Sequence, residues 1–131
     1  MERNEKTRAL LAAFGCALAY LLAGKALMAV LPQVPEEAAR MWAFVHRCAA
    51  APIVEELVFR GAIQQLARPL GERQAVALQA VLFAVQHRGP AGMAYALVCG
   101  LVLGTIRSRT GNVWPGMLLH TLNNLLVFAA G

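Results

Sequence analysis

Long apolar runs of helical length, separated by short polar breaks, constrain this chain more than any other feature. The runs cover approximately residues 7–31, 41–67, 74–87, 91–107 and 113–129. No segment shows the strict alternation of apolar and polar residues that indicates a strand. An apolar helix of about 20 residues is long enough to cross the hydrocarbon core of a bilayer. We therefore predict an all-α, multi-pass transmembrane bundle of about five helices, forming a single membrane-embedded domain over residues 1–131.

The composition favours lipid as the main solvent of this chain. Hydrophobic residues make up 59% and charged residues only 15%, whereas a soluble domain carries about 25% charged residues. The net charge is +5, but the basic residues punctuate apolar runs and do not cluster on one polar element. We therefore expect no nucleic-acid partner. Cys16, Cys48 and Cys99 are widely separated without a CxxC pair, which argues against a disulfide framework or a cysteine zinc site.

The distribution of basic residues between the breaks predicts an orientation. With the N-terminus in the cytoplasm, the outer loops hold only Arg40 and Arg88. This bias is the positive-inside pattern. We predict a multi-pass protein of the cell membrane, and we expect that membrane to be a bacterial inner membrane. The first apolar run, residues 7–31, is expected to stay in the protein as a helix. The inner loops then carry Arg3, Lys6, Arg8, Arg68, Arg73, Arg107 and Arg109.

Three ionised residues interrupt the second apolar run, in the stretch PIVEELVFRG at residues 52–61. Charges are costly inside a bilayer. Glu56 and Arg60 are four residues apart, so they share a helix face and can neutralise one another. We interpret that pair as structural. Glu55 points about 100° away, so it either holds a proton because of desolvation or faces a watered cavity with partners from other helices.

Candidate partners for Glu55 lie on two other apolar runs. His87 closes the third run, which is too short to span a bilayer comfortably. The break after it favours a polar pocket at that point. On the fifth run His120 and Asn124 are four residues apart and share a face, whereas Asn123 is expected to point elsewhere.

The residue types in this set suggest hydrolysis of a peptide bond without a serine or cysteine nucleophile. A glutamate and a histidine that share a water can remove its proton. A second histidine and an asparagine can donate hydrogen bonds to the oxyanion of a tetrahedral intermediate. Zinc bound by Glu55, His87 and His120 is the minority alternative, although no HExxH spacing is present. Interhelical hydrogen bonding alone and a proton relay are the other readings, and the absence of internal repeats counts against a transporter.

Other polar and small residues are predicted to serve packing. His46 and Arg47 are expected at the membrane interface, and Gln64 and Gln79 at polar helix positions. The fourth run contains small residues at four-residue spacing, which allow helices to approach closely in lipid. These small residues are Ala96, Gly100 and Gly104.

Three stretches, EELVFRG, FAVQH and HTLNN, resemble the ordered motifs EExxxR, FxxxH and HxxxN of the CPBP family of intramembrane proteases. That family comprises CAAX proteases and bacteriocin-processing enzymes and is also called Abi. The resemblance covers about residues 50–128 and implies a glutamic-type intramembrane endopeptidase. It implies that Glu55 and His87 activate water and that His120 and Asn124 form the oxyanion hole. Glu56 and Arg60 would support the site.

The resemblance also implies the partners, which are membrane lipid and a membrane-associated peptide or protein substrate of unassigned identity. No cofactor is expected, with zinc as the minority alternative. Family members usually have several more helices before the first motif, so the chain is either a minimal member or a fragment. A homodimer is one way to complete the site. A non-catalytic immunity or scaffold protein is the alternative function.

Overall fold

The computed structural model of the chain describes residues 2–131, which form five helices joined by short connections. No β-strand occurs in these residues. The prediction of an all-α bundle of about five helices is therefore confirmed. The helices are α1 (Glu2–Val30), α2 (residues 36–66), α3 (Glu72–Ala84), α4 (Gly89–Thr110) and α5 (Trp114–Ala130).

Helices α1 and α4 are both long and apolar enough to cross a membrane, with 29 and 22 residues. Helix α1 buries only a narrow stripe of alanines at four-residue spacing, and its large apolar side chains face outward. Such an apolar exterior is suited to lipid rather than water. The outward-facing side chains of α1 include Leu11, Phe14, Leu18 and Leu22.

The second helix begins at Glu36, five residues earlier than the sequence predicted. Only residues 31–35 lie outside a helix between α1 and α2, so the stretch predicted as a polar loop is mostly helical. Pro35 precedes the helix in an extended conformation (φ −54°, ψ 145°). Glu36 and Glu37 follow in the first turn, where negative charge interacts favourably with the helix dipole. These two glutamates therefore stabilise the N-terminal end of α2.

Helix α2 contains two π-helical segments that the sequence did not reveal. They cover His46–Ala50 and Glu56–Ile63, on either side of a short α-helical segment that contains Pro52. In them a backbone N–H reaches the carbonyl five residues earlier, as from Gln64 to Phe59. A π-helical segment rotates the following residues relative to an α-helix and often marks a functional site. The second segment begins at Glu56 and includes Arg60.

Helix α3 ends at Ala84, so the predicted third helix of residues 74–87 is too long at its C-terminal end. His87 lies in the turn that follows, where its N–H donates to the Ala84 carbonyl. Arg88 has an extended backbone immediately before α4. Pro90 has no N–H to donate and fits the first turn of the new helix. At 13 residues, α3 is about 20 Å long, which is shorter than the hydrocarbon core.

Helices α3 and α4 approach each other closely at Gly100 and Ala80. A side chain at Gly100 would place its Cβ 2.9 Å from the Ala80 Cα atom, which explains the small residue there. Gln79 donates a hydrogen bond to the Gly100 carbonyl at 2.7 Å, and Gln64 of α2 donates to the Gly104 carbonyl at 3.0 Å. The two glutamines therefore bind α4 to its neighbours, a role more specific than the one predicted for them.

An aromatic core lies among α1, α2 and α3. Phe59 is buried between Tyr20 and Phe83, with ring centroids 5.5 and 5.1 Å away in edge-to-face geometry. Such pairs are favourable beyond the apolar area that they bury. This core holds α3 against the second π-helical segment of α2, and so fixes the position of the ionised residues relative to the α3–α4 turn.

Candidate active site

A cavity of about 500 Å³ opens between α2, α4, α5 and the α3–α4 turn. It is lined by all four side chains that the sequence singled out for chemistry, which come from three separate parts of the chain. We call it the site cavity. The residues in question are Glu55, His87, His120 and Asn124.

His120 lies between the two glutamates of α2. Its Nδ1 atom is 2.9 Å from Oε1 of Glu56, and its Nε2 atom is 3.5 Å from Oε2 of Glu55. An ionised carboxylate only accepts hydrogen bonds, so Nδ1 carries a proton toward Glu56. Nε2 therefore faces Glu55, whose carboxylate borders the site cavity. The two glutamates therefore contact different nitrogens of the ring. Glu56 contacts Nδ1 and orients the imidazole, whereas Glu55 contacts Nε2 at the cavity wall.

The Glu56 carboxylate is completely buried and is shared by two partners, the Arg60 guanidinium and the His120 ring. Arg60 Nη1 lies 3.2 Å from the same Oε1 atom that contacts His120, and both side chains of this ion pair have no exposed surface. The predicted i,i+4 pair is present. Gly116 of α5 makes room for it, since a Cβ there would lie 2.7 Å from Glu56 Oε2. Such a buried pair is costly to break, because either partner alone would be an uncompensated charge.

Phe83 connects the charged pair to both histidines. The Arg60 guanidinium carbon lies 4.5 Å from the centre of its ring, within cation–π distance. The rings of His87 and His120 meet the same phenylalanine in edge-to-face geometry, with centroids 4.7 and 5.8 Å away. Phe83 therefore sets the positions of three ionisable groups. The sequence had offered only its spacing of four residues from His87.

The orientation of His87 is fixed by its own backbone turn. Its Nδ1 atom lies 3.0 Å from the Phe83 carbonyl oxygen. A carbonyl oxygen only accepts hydrogen bonds, so Nδ1 is the donor and Nε2 is left without its proton in the neutral ring. Because His87 lines the site cavity, this ring can accept a proton at Nε2.

Asn124 joins α5 to α2 at the edge of the cavity. Its Nδ2 donates to the Arg47 carbonyl oxygen at 2.8 Å, and the backbone oxygen of Asn124 accepts from Cys48 Sγ at 3.7 Å. An amide nitrogen has two protons, so one donor remains for a ligand. The amide therefore has a fixed position with one free hydrogen-bond donor.

Three residues that the sequence assigned elsewhere also line the cavity. Asn123, which was expected to point away from the site, faces it and accepts a hydrogen bond from the Tyr95 hydroxyl. His46 and Arg47 were predicted at the membrane interface but border the same cavity. The π-helical segment His46–Ala50 contains both, and its altered rotation was not predictable from α-helical spacing.

Helix α4 contributes to the site as well as to packing. Tyr95 and Cys99 line the cavity one turn apart, whereas the sequence indicated only a packing role for this helix. All three cysteines, including Cys16 and Cys48, are free thiols.

Residues 2–131 contain no group of three His, Cys, Asp or Glu side chains arranged to hold a metal ion. His120 directs both ring nitrogens at carboxylates, and His87 directs one at a carbonyl. The zinc site predicted as a minority alternative from Glu55, His87 and His120 would therefore require these side chains to rearrange.

A family model described as Rce1-like, type II CAAX prenyl endopeptidase, matches residues 37–126 of the chain. The match covers more than half of the chain and contains every residue of the candidate site. No curated protein and no solved structure matches the chain.

Proposed function

The chain belongs to the Rce1-like family of type II CAAX prenyl endopeptidases, and on that premise we propose that it is a glutamate-dependent intramembrane endopeptidase. Its family and its two apolar helices indicate a membrane protease. We further propose a multi-pass topology with the N-terminus in the cytoplasm, supported by the bias of lysines and arginines toward the predicted inner loops. A bacterial inner membrane is the setting that we propose for it.

In the proposed reaction, Glu55 and His87 hold a water molecule in the site cavity. Glu55 removes a proton from that water, assisted by His87 Nε2, and the water oxygen bonds to the carbonyl carbon of the substrate. The carbonyl π electrons move to oxygen, which is stabilised as an oxyanion by the free amide N–H of Asn124 and by His120, whose ring in the imidazolium form donates from Nδ1 to Glu56 and from Nε2 to the oxyanion. When the oxyanion collapses, the C–N bond breaks, and the proton held by Glu55 passes to the leaving nitrogen. All atoms and protons of this reaction are accounted for without a metal ion or a covalent intermediate between substrate and enzyme.

The buried pair of Glu56 and Arg60 positions the catalytic groups in this mechanism. Glu56 holds Nδ1 of His120, so the ring presents Nε2 toward Glu55 and the space beside it. Arg60 compensates the charge of Glu56, and Phe83 keeps both imidazoles at the cavity wall. Neither Glu56 nor Arg60 lines the site cavity, which supports a positioning role for both.

The observation that carries the proposal is the convergence of Glu55, His87, His120 and Asn124 on one cavity of about 500 Å³. Helix packing alone requires no carboxylate at 3.5 Å from an imidazole. It also requires no amide with an unused hydrogen-bond donor beside that pair. The family description suggests a substrate, namely a peptide with a prenylated cysteine near its C-terminus. A membrane-associated peptide of another kind is compatible with the same chemistry.

The test is cleavage of a fluorogenic prenylated CAAX peptide by the purified protein in liposomes. Glu55→Gln keeps the shape of the side chain but cannot act as a base, so we expect a loss of at least about 100-fold. Glu37→Gln, an exposed glutamate on the same helix, is the matched control and should cleave normally. Both variants should unfold at the wild-type temperature.

Each other result has a definite meaning. Undiminished cleavage by Glu55→Gln would exclude the proposed mechanism. Cleavage by the wild type that a chelator abolishes would favour zinc bound by Glu55, His87 and His120. If the folded wild type cleaves neither the prenylated peptide nor other membrane peptides, the non-catalytic immunity or scaffold function becomes the better account. Activity that rises with protein concentration faster than linearly would indicate a homodimer.

A further inference from the structure

A second cavity is lined by Arg60, the cationic member of the buried ion pair, which does not line the site cavity. It has a volume of about 280 Å³ and is formed by the end of α2, the turn at Arg68–Leu70, the start of α3 and the end of α4. We call it the basic cavity. Its polar lining comprises Arg60, Gln64, Gln65, Arg68, Glu72, Arg107 and Ser108.

The charges around the basic cavity are unbalanced. Glu72 is the only carboxylate among its lining residues, and it is already engaged by Arg68 at 3.5 Å and by the Ser108 hydroxyl at 2.5 Å. Arg107 has no carboxylate partner among residues 2–131, and its buried Nε has no hydrogen-bond acceptor. A guanidinium that lines a cavity and has an unpaired donor is a recognition group for an anion.

Two deeply buried side chains in the lining of this cavity also carry polar atoms without hydrogen-bond partners. Arg60 is 1% exposed, and none of its guanidinium nitrogens is aligned for a hydrogen bond, although Nη1 lies 3.2 Å from Glu56. Gln64 is 3% exposed, and its Oε1 has no partner. Buried donors without acceptors are uncommon in proteins. A ligand with several acceptor oxygens would satisfy the Arg60 and Arg107 donors together.

We infer that the basic cavity binds a phosphate group, carried by an anionic phospholipid headgroup or supplied as free phosphate. Phosphate oxygens are acceptors that match the planar guanidinium fork. A phosphate that keeps one proton can also donate to Gln64 Oε1. The cavity lies at the ends of α2 and α4, at the depth of lipid headgroups if α4 spans the bilayer. Basic pockets between transmembrane helices on the cytoplasmic side are suited to such headgroups.

The binding test uses thermal unfolding of the full chain, purified in neutral detergent and depleted of lipid. Phosphatidylglycerol, phosphatidylcholine and inorganic phosphate are added in separate titrations. A ligand that binds only the folded state raises Tm, and we expect a rise of about 5 °C or more with saturating phosphatidylglycerol. Arg107→Gln should abolish the rise. Arg109→Gln, which removes the same charge from the same helix end outside the cavity, should keep it.

The three additives separate the sources of the phosphate. A rise with phosphatidylglycerol alone assigns the cavity to a lipid headgroup, and an equal rise with inorganic phosphate assigns it to free phosphate. Equal rises with phosphatidylcholine and phosphatidylglycerol, no rise with any additive, or equal losses in Arg107→Gln and Arg109→Gln would overturn the inference.

A second variant keeps the test decisive if Arg107→Gln does not fold. The Arg68 side chain is 56% exposed, so Arg68→Gln should fold normally and still weaken the phosphate-dependent rise. A full rise in that variant would count against the inference. The binding test does not measure cleavage. A negative result therefore leaves the proposed protease function intact, and a catalytically inactive protein can still show the phosphate-dependent rise in Tm.

Discussion

Oε1 of Glu56 receives two partners at once, with His120 Nδ1 at 2.9 Å and Arg60 Nη1 at 3.2 Å. All three side chains are buried. One carboxylate oxygen of α2 therefore contacts both α5 and Arg60 of its own helix, and it adds to the hydrogen bond by which Asn124 joins α5 to α2. This relationship separates the two adjacent glutamates of α2, because Glu56 is enclosed by partners while Glu55 borders the cavity.

We predict that Glu56→Gln destabilises the protein strongly. The substitution leaves the Arg60 guanidinium buried without a counter-charge, which costs about 3–5 kcal/mol. That loss corresponds to a fall in Tm of about 10 °C or more, measurable by thermal unfolding in detergent. The exposed Glu37→Gln should leave Tm unchanged.

The double variant Glu56→Gln/Arg60→Met provides the control for that interpretation. It removes the stranded charge and replaces it with an apolar side chain, so it should recover part of the lost stability. A double variant that is no more stable than the single one would show that the loss does not come from the unpaired arginine.

The adjacent asparagines of α5 are predicted to differ in their effect on turnover. Asn124→Ala removes the amide that is proposed to stabilise the oxyanion, so kcat for peptide cleavage should fall about 100- to 1000-fold. Asn123→Ala removes a hydrogen bond to Tyr95 at the cavity wall, and kcat should fall less than about tenfold. Steady-state kinetics of the two variants make the comparison. Equal losses of kcat would argue against an oxyanion role for Asn124.

Helix α4 offers a matched pair of glycines for a test of packing. Gly100→Ala would place a Cβ 2.9 Å from the Ala80 Cα atom, so α3 and α4 must separate at a cost of about 1–3 kcal/mol. Gly92→Ala, on the same helix, meets no atom within 4 Å and should be neutral or slightly stabilising. Chemical unfolding in mixed micelles measures both. A Gly100→Ala variant as stable as Gly92→Ala would show that the approach of α3 to α4 is not tight.

Local features of the site were predictable because they depend on helix geometry within one segment. The spacing of four residues was sufficient to identify the pair of Glu56 and Arg60, and their distance of 3.2 Å agrees with it. The identity of Glu55, His87, His120 and Asn124 as candidates also came from residue type and from their positions in apolar runs. Their catalytic roles stay predictions until activity is measured.

Boundaries and rotations were less predictable. Helix α2 begins at Glu36 rather than near residue 41, and α3 ends before His87. The two π-helical segments of α2 shift the faces of His46, Arg47 and the residues that follow. A run of five to eight mostly apolar residues does not distinguish an α-helical turn from a π-helical one. In either conformation most of these side chains lie in an apolar environment, so the hydrophobic pattern is the same.

The sequence by itself determined the five helices, their apolar exterior and the residues that are candidates for hydrolysis, because periodicity and composition act within each segment. Only the tertiary structure decided that His120 bridges both glutamates, that Asn123 lines the site cavity, and that Arg60 lines the basic cavity. Those relationships depend on how far each helix is rotated and how closely it approaches its neighbours. Close packing between helices, such as that of Gly100 on Ala80, sets both quantities, and it involves residues distant in the chain.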